Sequence, residues 1–441
     1  MINSPQANSP KIINFDIEAL RGYAALFVVW SHAVAFEYLL DPKYLVTGIW
    51  SYKPSGHFCV LIFFVLSGYV IGVSNKKPLT WATSILYLKK RLVRLYPIFL
   101  ITLFLTLLLS DLHFNTATIL GNTVMTQGLF VVDINRPSWS LHYEMLYYLL
   151  FIVISVFRIN LYGVIVGALV TAVINFGLYS ILHTPIITAY SYGLLFWITG
   201  LILSKVLSNA SSDKSAYQAL LACLLFMLCI DQFNLFDTLM HKAVSVAHIN
   251  VYFPKDISWN QTAVNIFDLA YLPFALLIIL VFIGKRVRYR LWMLRGLFVF
   301  SAINLFYVAK HAYSGDLDYA VYTLPTIFLL ASLVCLFVPS AALERLGQRV
   351  VQAGIWLGSL SYGIYLIHYP LLLLFKRITV FSGTGLTFAV RFGLLLALTI
   401  GLGYVLEKII QPFIKAYFFP QPAVVVPELG SHTALATPRP N

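Results

Sequence analysis

Long apolar runs separated by short polar, basic stretches make up nearly the whole chain. A helix needs roughly 20 apolar residues to cross a bilayer core of about 30 Å. About twelve runs approach that length, near residues 16–40, 56–74, 91–110, 138–157, 159–180, 187–205, 215–233, 263–283, 291–309, 318–338, 354–375 and 386–406. The pattern predicts an all-α, polytopic integral membrane protein with about 10–12 transmembrane helices. The longest connections between runs are 111–137 and 237–262, long enough to shape or cover a site.

Composition agrees with that reading. Of 441 residues, 60% are hydrophobic and 11% charged, with a mean hydropathy of +0.83. Soluble domains carry about a quarter charged residues. The net charge of +13 falls in short clusters, such as Lys76–Lys77, Lys89–Arg94 and Lys285–Arg290. This is the pattern of cytoplasmic loops rather than of a nucleic-acid groove. An even number of spans with these clusters inside puts both termini in the cytoplasm, and no nucleic-acid partner is expected. Cys59, Cys223, Cys229 and Cys335 all lie within apolar runs and read as small buried hydrophobes; no Cys/His spacing suggests a metal. Residues 1–14 read as a cytoplasmic tail without a signal peptide, 15–415 as the transmembrane domain, and 416–441 as a disordered cytoplasmic tail.

Ionisable side chains inside such runs are expensive and mark candidate sites. In the first run Arg21 and His32 are eleven residues apart. In a helix that is about three turns, so both project from nearly one face with about 16 Å between them. Either residue alone has an ordinary structural reading, satisfied by a neighbouring carbonyl. Four further strings stand out. They are Phe63-Phe64-Val65-Leu66-Ser67-Gly68, Lys89-Lys90-Arg91-Leu92-Val93-Arg94 before Pro97, Trp139-Ser140-Leu141-His142-Tyr143-Glu144, and Ser361-Tyr362-Gly363-Ile364-Tyr365-Leu366-Ile367-His368.

Together these strings resemble the signatures of the membrane-bound acyltransferase-3 family, O-acyltransferases that act on sugars and other acceptors. The resemblance is strong over residues 17–145 and 358–370 and faint between about 160 and 350. Two departures are visible. Glu18-Ala19-Leu20-Arg21 stands where the family has an acid, glycine, leucine and arginine, and His142 stands where it often has a small residue.

The resemblance implies acyl-CoA, most simply acetyl-CoA, as a cytoplasmic donor substrate, with no tightly bound cofactor and no metal. It implies Arg21, Lys90, Arg91 and Arg94 as donor contacts, since arginine forks match phosphate oxygens. It implies His32 and Glu144 as catalytic groups and Trp139, Ser140, Tyr365 and His368 as substrate contacts. The acceptor would be a hydroxyl of an extracytoplasmic or lipid-linked glycan, and the location a bacterial inner membrane. It leaves acceptor identity, acyl length and oligomeric state open.

Counting about 1.5 Å per residue from the nearest membrane face puts His32, His368 and Glu144 in one layer, and Arg21, Arg91 and Arg94 in another near the inner face. His368 reads equally as a satisfied core histidine. His32 serves either as a general base or as a nucleophile forming an acyl-imidazole. Ser67 reads as a helix-contact residue and Glu407 as a cap or anchor. Trp259 and Tyr252 in the second long loop read first as interfacial aromatics. A transporter or flippase for a glycan or lipid-linked substrate is the alternative reading, and a non-catalytic acyl-lipid sensor a second.

Overall fold

The computed structural model describes residues 16–248 and 262–420. Trp259, Tyr252 and the two outermost tails, 1–15 and 421–441, lie outside the described residues. The described chain is helical, with α1 (Asp16–Ala35), α2 (Gly56–Ser74), α3 (Trp81–Leu109), α4 (Thr116–Thr123), α5 (Trp139–Val156), α6 (Leu161–Gly177), α7 (Tyr179–Leu182), α8 (Pro185–Val206), α9 (Tyr217–Met227) and α10 (Ile230–Phe233). There follow α11 (Leu235–Val246), α12 (Leu272–Ile283), α13 (Arg290–Ala302), α14 (Asn304–Ser314), α15 (Tyr319–Phe337), α16 (Ala341–Gly358), α17 (Ser361–Arg377), α18 (Gly385–Tyr404) and α19 (Gln411–Phe418). Among the described residues, eight helical stretches are long and apolar enough to cross a membrane, or nine if α16 and α17, bent by 74°, are counted as one broken span. The protein is an all-α, polytopic integral membrane protein.

Every predicted run overlies helix, and the differences in length have local causes. The run at 159–180 divides into α6 and the short α7, and that at 215–233 into α9 and α10. The run at 354–375 is not one rod, because the chain turns by 74° at Ser359 and Leu360. Helix α19 extends to Phe418, so helix continues past the expected boundary at residue 415.

Membrane helices gain no hydrophobic drive from one another and associate where small residues let backbones approach. Between α2 and α8, a Cβ on Gly68 would lie 1.9 Å from the Trp197 carbonyl oxygen, and one on Gly200 1.9 Å from that of Val65. Between α1 and α16, a Cβ on Gly358 would lie 1.9 Å from the Glu18 carbonyl oxygen, and one on Gly354 2.9 Å from the Ala19 methyl. The alanine in the first motif is therefore accommodated by a glycine on the partner helix.

The ends of α1, α17 and α18 are tied by Arg391, which donates to the carbonyls of Leu40 (2.6 Å), Ile378 (2.9 Å), Val380 (3.2 Å), Phe381 (3.3 Å) and Phe375. Asp41 accepts from Gly383 N (3.0 Å) and Thr387 Oγ1 (2.7 Å) beside it. These bonds fix the mouth of the bundle where α1 and α17 bring their histidines together.

Candidate active site

Helices α1, α2, α3, α5 and α17 enclose a cavity of about 250 Å³ lined by Arg21, Arg91, Arg94 and Glu144, with Phe63, Ser67, Ser140, Tyr148, Tyr362 and Tyr365 among its walls. The three arginines expected as donor contacts converge here. Lys90, on the same turn of α3, is exposed and does not line the cavity. An α-helix separates consecutive residues by about 100°, which turns Lys90 away from the face shared by Arg91 and Arg94.

Each arginine is held differently. Arg21 Nη1 reaches both Glu18 carboxylate oxygens at 3.2 Å, one helical turn back. Arg94 forks onto Glu407, with Nη1–Oε2 at 2.5 Å and Nη2–Oε1 at 3.1 Å. Glu407, 7% exposed, also accepts the Gly363 N–H at 3.2 Å. It sits in a π-helical stretch, Val405–Ile410, between α18 and α19. Such wide turns often mark functional positions. The structure thus makes Glu407 an orienting partner of Arg94 rather than a helix cap. Arg91 lies between the rings of Tyr87 (5.4 Å) and Tyr148 (5.5 Å) and has no carboxylate partner among the described residues.

Glu144 belongs to this arginine cavity. It accepts hydrogen bonds from Ser67 Oγ (3.1 Å) and Tyr148 Oη, and Trp197 Nε1 donates to the same serine at 3.3 Å. Glu144 thus lines the arginine cavity, which His32 and His368 do not. The depth count assumed that α5 starts at the membrane surface, whereas its head is buried. Asn135, 0% exposed, donates to the Leu366 carbonyl at 3.2 Å, and Tyr365 Oη donates to the Pro137 carbonyl at 2.5 Å.

His32 and His368 do meet, although the bend before α17 invalidates the straight-rod count that placed them together. His32 Nδ1 and His368 Nε2 are 2.9 Å apart, with rings stacked at 5.1 Å. Phe36 stacks on the other side of His32 at 4.7 Å, and Arg136 lies over Phe36 at 5.5 Å. The pair does not line the cavity. Tyr365 stands between, its ring 6.3 Å from His368 and 6.0 Å from Phe63, and its hydroxyl 2.9 Å from Ser140 Oγ. Trp139 is buried and stacks on His57 at 6.0 Å, one step from the cavity wall.

The hydrogen-bond geometry selects one tautomer for the histidine pair. His368 Nδ1 faces the Ile364 carbonyl oxygen at 3.4 Å, which only an N–H satisfies. His368 Nε2 then carries a lone pair, and His32 Nδ1 must be the donor between the rings. This leaves His32 Nε2 as an unprotonated nitrogen. The opposite assignment sets a lone pair against a carbonyl. Assignments of this kind follow from the network.

The comparisons with known proteins bear on this site. A family model described as an acyltransferase domain, the acyltransferase-3 model, matches residues 14–293. The chain belongs to the acyltransferase-3 family. The matched region contains Arg21, His32, Arg91, Arg94 and Glu144. It is similar to acyltransferase MdmB of Streptomyces mycarofaciens, at 26% identity over 159 residues, which cover 32% of this chain and 39% of that protein. No solved structure matches.

Ser67, Tyr148 and Glu407 are the site residues that the sequence reading undervalued. The signals were present: Tyr148 is four residues from Glu144, a helical neighbour, and Glu407 is an ionisable group within an apolar helix.

Proposed function

We propose that the protein transfers an acyl group, most simply acetyl, from cytoplasmic acyl-CoA to a hydroxyl of an extracytoplasmic or lipid-linked glycan, with His32 as general base. The carrying observation is the contact of His32 Nδ1 with His368 Nε2, which supports a lone pair on His32 Nε2, one aromatic ring beyond a cavity that gathers three arginines. Family membership supports the acyl-transfer chemistry. Similarity to the Streptomyces mycarofaciens acyltransferase supports acyl transfer as well.

In this reading Arg91, the arginine without a carboxylate, takes a CoA phosphate, and Arg94 is held in place for a second. The cavity, about 250 Å³, is smaller than most drug-sized sites of roughly 300–1,000 Å³. It suits the narrow pantetheine arm, with the nucleotide at its mouth. Glu144 accepts an amide N–H of that arm. The thioester passes Tyr365 to reach His32. The acceptor hydroxyl gives its proton to His32 Nε2 as its oxygen attacks the thioester carbonyl. The C–S bond breaks, and the departing thiolate takes the proton back from the imidazolium. His32 Nδ1–H stays bonded to His368 throughout and steadies the transient positive charge.

An acyl-imidazole on His32 Nε2 is the two-step variant. Ping-pong kinetics with a trapped acyl-enzyme favour it, and a required ternary complex favours direct attack.

Incubating the purified protein with radiolabelled acetyl-CoA and candidate glycans tests the proposal. Acylated product and free CoA are expected, and His32→Ala loses both while remaining folded. A transporter or a lipid sensor yields neither product. A near-wild-type rate in His32→Ala removes that residue as the base.

A further inference from the structure

Two helical stretches are longer than a membrane needs, and their surplus meets at one end. Helix α3 has 29 residues and the continuous stretch Gly385–Phe418 has 34. At about 1.5 Å per residue they run to about 43 and about 51 Å, against a bilayer core of about 30 Å. The start of α3 and the end of α19 lie side by side. Gln411 Nε2 donates to the Val93 carbonyl at 2.8 Å, and Lys89 Nζ lies over the rings of Phe418 (5.9 Å) and Phe419 (5.0 Å). Phe413 and Tyr417, 76% and 77% exposed, give α19 the aromatic fringe of a helix at the headgroup layer.

This seam joins two elements of the same charge. Lys89 and Lys90 stand on α3, four and three residues before Val93; Lys408 and Lys415 stand three residues before and four after Gln411. Each is therefore within about one helical turn of the contact. All four are exposed, and among the described residues none has a carboxylate within ion-pairing distance. Glu407, the residue before Lys408, has both oxygens committed to Arg94. Like charges brought together repel unless an anion lies between them. Positive-inside anchoring explains a lysine at each helix end, but not four gathered at one packed seam.

We propose that the seam between α3 and α19 binds the phosphodiester of an anionic phospholipid, which supplies the counter-charge that holds the two helices together. Charge complementarity selects the anion, and the overshoot of both helices with the exposed Phe413 and Tyr417 selects a lipid headgroup as its source. The seam also bears on the arginine cavity. Lys408 follows Glu407 in the π-helical stretch Val405–Ile410, the lysine exposed and the glutamate buried on Arg94. A lipid on Lys408 and Lys415 thereby steadies the carboxylate that orients Arg94, so that membrane charge tunes donor binding. That consequence rests on the reading of Arg94 as a donor contact; the lipid site itself does not.

The test uses the full chain in nanodiscs of phosphatidylcholine, alone or with one-third phosphatidylglycerol, and compares the wild type with Lys408→Gln/Lys415→Gln. The variant relieves repulsion, so on neutral discs it unfolds at or above the wild-type temperature. Phosphatidylglycerol is expected to raise the wild-type unfolding midpoint by several degrees. Native mass spectrometry is expected to find at least one more such lipid retained on the wild type than on the variant. At about fivefold per lysine, the variant's affinity for that lipid falls about 25-fold. Lys76→Gln/Lys77→Gln removes the same charge from another loop and is expected to keep the full wild-type response. A response of equal size in the wild type and in the Lys408/Lys415 variant, a response in neither, or equal stabilisation by inorganic phosphate on neutral discs overturns the proposal.

The coupling is read from the KM for acetyl-CoA, expected to be several-fold lower for the wild type on phosphatidylglycerol discs and unchanged for the variant. Bulk repulsion between an anionic membrane and an anionic donor acts the other way, so a rise in the wild-type KM refutes the coupling to Arg94. Should acetyl-CoA be turned over on neither membrane, the acyl-transfer reading falls, and the unfolding and mass-spectrometric arms still decide the lipid site.

Discussion

The histidine pair makes a prediction whose size follows from its geometry. His368 is fully buried and offers Nε2 to the His32 Nδ1–H at 2.9 Å. His368→Leu fills much of the same volume and removes that acceptor. The His32 N–H is then unpaired in a buried site, and the imidazolium formed during proton transfer loses its stabilising contact. An unmade buried hydrogen bond costs about 1–3 kcal/mol. At about 1.4 kcal/mol per tenfold, kcat falls roughly 5- to 150-fold.

The KM for acetyl-CoA is expected to stay near wild type, since Arg21, Arg91 and Arg94 are untouched. His368→Gln supplies an amide oxygen that can accept from His32 Nδ1 and is expected to recover most of the lost rate. Initial rates of radiolabelled acetyl transfer over a range of donor concentrations separate kcat from KM. If His368→Leu retains the wild-type kcat, or if the glutamine variant is as slow as the leucine one, the tautomer argument is wrong.

Four further outcomes are expected. Glu407→Gln frees Arg94 from its carboxylate and raises the KM for acetyl-CoA about tenfold with little change in kcat, since a charge-assisted bond exceeds a neutral one by about that factor; an unchanged KM would separate Arg94 from donor binding. Gly68→Leu drives a side chain into the Trp197 carbonyl and prevents α2 and α8 from packing, so the variant is expected to be degraded or to aggregate on size-exclusion chromatography, and a monodisperse, active variant contradicts the packing. Arg391→Leu leaves the carbonyls of Leu40, Ile378, Val380, Phe381 and Phe375 without their donor and is expected to cost upward of about 3 kcal/mol in detergent unfolding. Asp111, outside the membrane helices, is held below the usual carboxylate range by its hydrogen bond and charge pairing with Lys376; the lowered folded value means that this tether is intact above about pH 4 and is lost as pH falls further, so limited proteolysis of the 110–115 loop should accelerate only on acidification, and Asp111→Asn should abolish that pH dependence.

Much of the fold could be read from the sequence because bilayer thickness imposes a length on apolar runs, and each run became helix. The short breaks were less visible. Ser359 and Leu360 carry no proline to announce a 74° bend, and the residue just before it, Gly358, packs against the backbone of α1. Arg21, Arg91 and Arg94 were legible as a group because charge inside an apolar helix demands a partner. Lys90 was misplaced because a basic run on a helix points in several directions at once. Glu144 was grouped by depth with the histidines, whereas its contacts are with Ser67 and Tyr148 on the arginine cavity, because counting residues gives height and not partners. The pairing of Arg94 with Glu407, more than three hundred positions away, is a tertiary fact that no local pattern carries.

Tyr365 and Phe63, packed edge to face between the arginine cavity and the histidines, carry a consequence for the cell as well as for the reaction. A protein that, as proposed, is loaded from one compartment and unloaded into another needs a barrier between the two. Were the way between them open, protons and small ions would leak down it and dissipate the membrane potential between turnovers. Two rings packed edge to face make a low-dielectric plug thin enough for an acyl chain to displace and dry enough to insulate when none is bound.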